Sequence, residues 1–233
     1  MTWLHQTARA IGPITRTDFA HSLGQRARWN PLFPAILIFS IVVVVDLVFI
    51  AWNALAPRPS LINAAVDGGV WEIWEGGKLL AAALLLQLTR NRARMASLSA
   101  LAILLLYLVS DNLLGLHEAA GELFPNDQIG ELIYQVAVIA IVSLGLLILL
   151  VRARPSERVV AGLMIFSLAV FAGFGVAVDF LHYLFGQYHW RVAWAFHLLE
   201  ESGELLSCTL VLLMAWLAYR HARPPRTPHL AQR

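Results

Sequence analysis

Residues 34–56 read PAILIFSIVVVVDLVFIAWNALA, a run in which Asp46 is the single ionisable side chain. A helix rises 1.5 Å per residue and needs about 20 apolar residues to cross roughly 30 Å of hydrocarbon. This run has the length, and it is apolar on every face rather than along one stripe, as a lipid-embedded helix must be. Pro31 and Pro34 introduce it and Pro57 and Pro59 follow it, as suits residues that cannot continue a helix. Comparable runs recur near 70–89, 97–117, 129–151, 159–182 and 195–219. The pattern predicts an all-α polytopic membrane protein with six transmembrane helices in one bundle, 34–219. An arm, 1–33, precedes it and a short disordered tail, 220–233, follows.

Composition agrees with that reading. Of 233 residues, 59% are hydrophobic and 14% charged, where a soluble domain carries about 25% charged residues. Cys208 is the only cysteine, which excludes an intramolecular disulfide and a cysteine-based metal cluster. The arm holds Arg9, Arg16, Arg26 and Arg28 and lacks the apolar core of a signal peptide. It reads as cytoplasmic and partly interfacial, with Trp3, Phe19 and Trp29 as anchors. The lipid bilayer is the expected partner, and no nucleic acid is.

Arginine sets the orientation, because short cytoplasmic loops collect positive charge. The arm, the connection bearing Arg90, Arg92 and Arg94, the connection bearing Arg152, Arg154 and Arg158, and the tail all lie on one side. Only Arg58 and Arg191 lie on the other. Both termini are therefore expected in the cytoplasm, with the protein in a bacterial inner (plasma) membrane. Acidic residues contribute little to topology, yet most of them gather at the extracytoplasmic ends, joined by His117, His182, His189 and His197.

At about 100° per residue these groups fall on a few faces. The second segment opens with Glu72 and Glu75 three residues apart, and the third ends with Asp111, Glu118 and Glu122 inside roughly 40° of arc, His117 pointing about 120° from Asp111. The fourth opens with Gln128, Glu131 and Gln135 on one stripe. Asp179 and His182 close the fifth on a face flanked by Gly175 and Gly186, and His197, Glu200, Glu201, Glu204 and Cys208 open the sixth. The second and sixth run inward and the third and fifth outward, so all four deliver their polar turns to one depth.

Charged side chains in membrane helices are costly and normally face the bundle interior or a wet cavity. Several carboxylates in low dielectric cannot all ionise unless a cation neutralises them. Soluble dinuclear bundles use a Glu from two helices and a Glu-x-x-His pair from two more. Asp179-x-x-His182 and His197-x-x-Glu200 imitate the pairs in chemical type, and Glu72 or Glu75 with Asp111 or Glu118 would supply the rest. The expected ligands of a divalent metal are thus Glu72, Glu75, Asp111, Glu118, Asp179, His182, His197, Glu200 and Glu204, with Glu201 and Asp111 as candidate catalytic groups. Oxygen-rich sets with a few imidazoles suit iron or manganese, and zinc less exclusively.

The favoured expectation is a membrane metalloprotein, an enzyme of iron or manganese redox chemistry acting on a lipid-like or quinone-like apolar substrate from the periplasmic or exterior side. A zinc-dependent membrane hydrolase is the near rival. A divalent-cation or proton transporter is a third reading, opposed by the apolar cytoplasmic halves of the helices, and a non-catalytic assembly factor or sensor a fourth. Asp46 and Lys78, the only lysine, lie at similar depth and are expected to pair, and Cys208 to serve in packing.

Overall fold

The computed structural model describes residues 32–55, 69–186 and 189–222. The arm up to residue 31, Arg58, Asp67, Tyr188 and the tail from residue 223 lie outside the described residues. The chain forms two compact units, Met1–Ser40 and Ile41–Arg233. Of the first, the described part is the opening turns of helix α1, Leu32–Leu55.

The second unit continues α1 and adds α2 (Val70–Ala93), α3 (Ser97–Leu114), α4 (Leu116–Gly121), α5 (Asp127–Arg152) and α6 (Pro155–Ala172). A π-helical segment, Gly173–Val178, leads without a break into α7 (Asp179–Gly186), and α8 (Trp190–His221) closes the unit. Every element among the described residues is helical. Five stretches among the described residues are long and apolar enough to cross a membrane: Ala35–Leu55, Ser97–Leu114, Asp127–Arg152, Pro155–Phe185 and Trp190–His221. α2 has the length but carries Glu72, Glu75 and Lys78 in its first half and Arg90 and Arg92 in its last turn.

α2 packs against α3 and α8 and buries one of its faces: Leu79, Ala82, Ala83 and Leu86 meet Leu98, Leu101 and Leu105 of α3 and Cys208, Val211 and Ala215 of α8 in one apolar core. Cys208 is a packing residue there, as expected. The outward faces remain apolar, as at Ile103, Ile141, Leu147 and Phe166, which is how a helix meets lipid rather than water.

α1 joins the rest of the second unit through a polar knot. Asp46 Oδ1 accepts hydrogen bonds from Trp74 Nε1 at 2.8 Å and Lys78 Nζ at 3.0 Å, and Oδ2 accepts one from Thr209 Oγ1. Lys78 Nζ also donates to the Leu205 carbonyl at 2.6 Å and to Thr209 Oγ1 at 3.1 Å. The expected Asp46–Lys78 pair is formed and both partners are buried. Phe49 and Ile50 pack beside it on Trp71 and Leu205.

At the opposite end of the helices, the loop between α2 and α3 is stitched to α6. Glu157 Oε1 accepts from the Ser97 backbone N at 2.8 Å and from Ser97 Oγ at 2.7 Å, satisfying donors at the start of α3. Arg154 Nη2 donates to the carbonyls of Ala93 and Arg94, where α2 ends on a left-handed residue. Glu157→Ala is expected to destabilise the protein by about 1–2 kcal/mol, the usual range for a lost helix cap. Thermal unfolding in mild detergent checks it, and an unchanged midpoint would show that the contact contributes nothing.

Two sequence-based expectations about helix ends are corrected. α3 stops at Leu114, not at 117, because Gly115 takes a left-handed conformation with φ of 57° and its N–H returns to the Asp111 carbonyl. The run 159–182 is a longer rod, Pro155–Gly186, whose regular α-helix is interrupted by the π segment.

Candidate metal and cavity site

The polar turns of α2, α3, α5, α7 and α8 meet at one end of the second unit, around a cavity of about 570 Å³. From the sequence-predicted set, Glu72, Glu75, Asp111, Glu118, Asp179, Glu200, Glu201 and Glu204 line it. The Gln128, Glu131 and Gln135 stripe of α5 lines it too. Below these groups the walls are mostly apolar: Leu104 and Leu108 of α3, Val138, Val142 and Leu146 of α5, Ile165 and Leu168 of α6, with Tyr107 and Ser143 among them. α5 forms one wall while burying only Gly130 and Leu146.

His182 and His197 stand beside the cavity, linked to it through Glu200. His182 Nδ1 lies 3.1 Å from Glu200 Oε2, and the two imidazole rings are 6.1 Å apart between centroids. One ligand atom each from His182, His197 and Glu200 falls within 4.8 Å of the others, a span that one ion can bridge. Asp179 lies beside Glu200, and Glu201 Oε1 sits 3.8 Å from His197 Nδ1.

Among the described residues no second group of three ligand atoms comes as close. The four-helix dinuclear pattern is therefore assembled only in its α7–α8 half. Glu72, Glu75, Asp111, Glu118 and Glu204 line the cavity but do not join the cluster. Glu75 is buried and engaged, accepting from Trp71 Nε1 at 3.2 Å and from Asn112 Nδ2 at 3.3 Å. Asp111 is equally committed: Oδ1 accepts the His117 backbone N–H at 3.0 Å, and Oδ2 lies 3.2 Å from His117 Nδ1, too oblique for an aligned hydrogen bond.

The helical wheel had turned His117 away from Asp111. The break at Gly115 removes that phase and brings the imidazole back over the carboxylate, which holds it above the ordinary histidine value against the opposing effect of burial. Asn112 escaped the sequence reading although it stands next to Asp111; an amide carries no signature of its own there. His189 proves to be the α8 N-cap, its Nδ1 accepting from the Arg191 backbone N at 3.1 Å.

The π segment fits α8 through two glycines. A Cβ on Gly175 would overlap Glu204 Oε1, and a Cβ on Gly203 would overlap the Phe174 ring. Each helix thus accepts a side chain of the other where it has none itself. π segments are rare and recur at functional sites. Here the segment runs directly into Asp179 and resets the face on which Asp179 and His182 emerge.

Fold and site together define a class: an all-helical protein with several membrane-length apolar helices and an acid-lined cavity flanked by a His-His-Glu cluster. The chain belongs to the family described as Domain of unknown function (DUF8692), whose model matches residues 35–219. No curated protein and no solved structure matches it.

Proposed function

We propose that this is a multi-pass membrane metalloprotein, an enzyme that holds one divalent metal on His182, His197 and Glu200 and takes a lipid-like substrate into the adjoining cavity. The observation that carries the reading is the convergence of those three ligand atoms within 4.8 Å at the rim of a cavity that is acidic at one end and apolar at the other. Two imidazoles and one carboxylate leave coordination positions open, the arrangement of non-haem iron oxygenases. Iron or manganese redox chemistry is therefore the favoured activity, with the metal supplying oxygen binding or Lewis acidity when bound.

The chain's own residues have separate tasks in this scheme. Asp179 and Glu201 orient Glu200 and His197, and Glu201 is placed to exchange a proton with a substrate in the cavity it lines. The deeper apolar walls bury the rest of the substrate and exclude water. A zinc hydrolase is the second reading, favoured by the same two-His, one-Glu set, which zinc proteases also use. The apolar lower cavity weighs against a cation pathway, which needs polar groups along its length.

In this reading α2 is the sixth span, since its 24 residues reach about 36 Å. The arginine distribution puts both termini in the cytoplasm and the cluster on the periplasmic or exterior side of a bacterial inner membrane. Elemental analysis of the purified protein tests the function. About one iron or manganese per chain is expected, falling at least tenfold in His182→Ala and Glu200→Gln with unchanged thermal unfolding; one zinc selects the hydrolase. Wild type free of metal after purification and reconstitution with each ion would sink both enzyme readings.

A further inference from the structure

Among the membrane-length helices α5 is the least buried, although it forms a whole wall of the cavity. What holds it is confined to its two ends and one side. At its start, Asn126 Nδ2 donates to Tyr183 Oη at 3.2 Å, and the backbones of Gly121 and Gly130 approach so closely that a Cβ on either would overlap its neighbours. At its end, Arg158 of α6 donates to the carbonyls of Leu150 and Val151 at 3.0 and 2.8 Å. Between them, Tyr107 of α3 and Tyr134 share a hydrogen bond of 2.9 Å. Among the described residues no hydrogen bond joins α5 to α6 beyond the Arg158 pair.

The phase of α5 shows which side this leaves. Tyr134 and Ile139 are about 140° apart around the helix. Pinned to α3 through Tyr134, α5 therefore turns Ile139, and Ser143 one turn on, toward α6. Ile139, Ser143 and Ala169 of α6 line the cavity and are nevertheless exposed, whereas Val142 and Leu168 beside them are half-buried and buried. The exposed three continue stripes that face lipid. Leu147 follows Ser143 by one turn and Phe166 precedes Ala169 by one, and both are exposed.

The two edges stand at one depth. Ile139 and Ala169 each lie about 20 Å along their helices from the turn that joins α5 to α6, within a hydrocarbon core about 30 Å thick. Water does not reach an opening at that depth, but acyl chains do. We infer that the cavity opens sideways into the bilayer between α5 and α6, and that acyl chains of membrane lipids enter its apolar half through this slot. The occupant is then a long-chain lipid taken from the surrounding bilayer, its chain free to extend past the cavity, and not a small apolar molecule delivered from solution. The inference rests on the lipid-substrate reading above and names where that substrate comes from.

Photocrosslinking tests it. The photoreactive residue p-benzoylphenylalanine is placed at Val142, inside the cavity, and in a separate variant at Ile141, which faces lipid. Ile165 on the opposite wall replaces Val142 if that variant does not fold. The protein is illuminated in nanodiscs of a single phosphatidylcholine, and adducts are read by intact mass. The probe at Val142 should take up one phospholipid with about half the yield at Ile141 or more, since it reacts with what lies in contact. Ser143→Trp or Ala169→Trp, each adding a large ring at the slot, should cut the Val142 yield about fivefold and leave the Ile141 yield and metal content unchanged. A lower Val142 yield, one indifferent to both tryptophans, or an adduct with the mass of two chains, which would put a second copy over the slot, overturns the proposal. Metal measured on the same samples keeps the two readings apart. Lipid adducts without metal sink the metalloprotein and leave the slot; metal without adducts does the reverse.

Discussion

Replacing Lys78 with methionine should cost the folded protein roughly 3–5 kcal/mol, the range for breaking a buried ion pair on one side. The loss would come from Asp46, left buried and charged with only Trp74 and Thr209 as donors. The lysine holds more than one partner, since Nζ also donates to the Leu205 carbonyl and Thr209. It therefore joins three helices, α1, α2 and α8. The double variant Asp46→Asn, Lys78→Met should recover at least half of the loss, because the asparagine oxygen still accepts from Trp74, its amide N–H can donate to the Thr209 hydroxyl, and no net charge is left in the core. Equilibrium unfolding in mixed micelles reads all three proteins. A single variant as stable as wild type would mean that the pair does not form in the membrane, and a double variant worse than the single would place the stability in the charge itself.

The second large effect is expected at Gly203. A Cβ there would overlap the Phe174 ring close to its attachment to the backbone, so a rotamer change alone cannot relieve it. Gly203→Val should destabilise by about 3 kcal/mol, the upper part of the range for overpacking, and should also empty the metal cluster, because Glu200 and His197 sit on the same helix within two turns. Adding Phe174→Ala should recover most of both losses. Gly175→Ala makes a contrasting case. Its new Cβ meets the free end of Glu204, which can swing aside, so stability should change little while the cavity carboxylate is displaced. Metal content and unfolding midpoints measured together distinguish the two: a Gly203→Val protein that keeps its metal would show that the π segment does not position the cluster.

The helices themselves were legible because lipid imposes a simple demand. Backbone groups must be satisfied within the segment and side chains must be apolar for about 20 residues, so composition along the chain marks each run almost directly. The depth at which Asp46 and Lys78 lie was legible in the same way, from rise per residue, and their pairing followed from the cost of leaving either alone. That the acids and histidines converge at one end could also be read, from the alternating direction of successive helices.

What could not be read was rotation. A helical wheel assumes an unbroken 100° step, and two local events cancel it. Gly115 ends α3 three residues before Glu118 and seven before Glu122, which turned His117 toward Asp111 instead of away. The π segment adds backbone within the Pro155–Gly186 rod and rephases Asp179 and His182. Neither event announces itself in composition, since GFGVAV and LLGLH look like continuing helix.

The amino-acid sequence alone determined that this chain is helical, that several helices match a membrane in length, and that its acids and imidazoles share one end, because periodicity and apolar length are local properties. Tertiary structure decided which of those groups meet. His182, His197 and Glu200 cluster, while Glu75 is taken by Trp71 and Asn112 and Asp111 by the turn after Gly115. Partner choice among chemically equivalent carboxylates depends on angles set by a left-handed glycine, a π turn and two glycine contacts, and those angles exist only once the helices have packed.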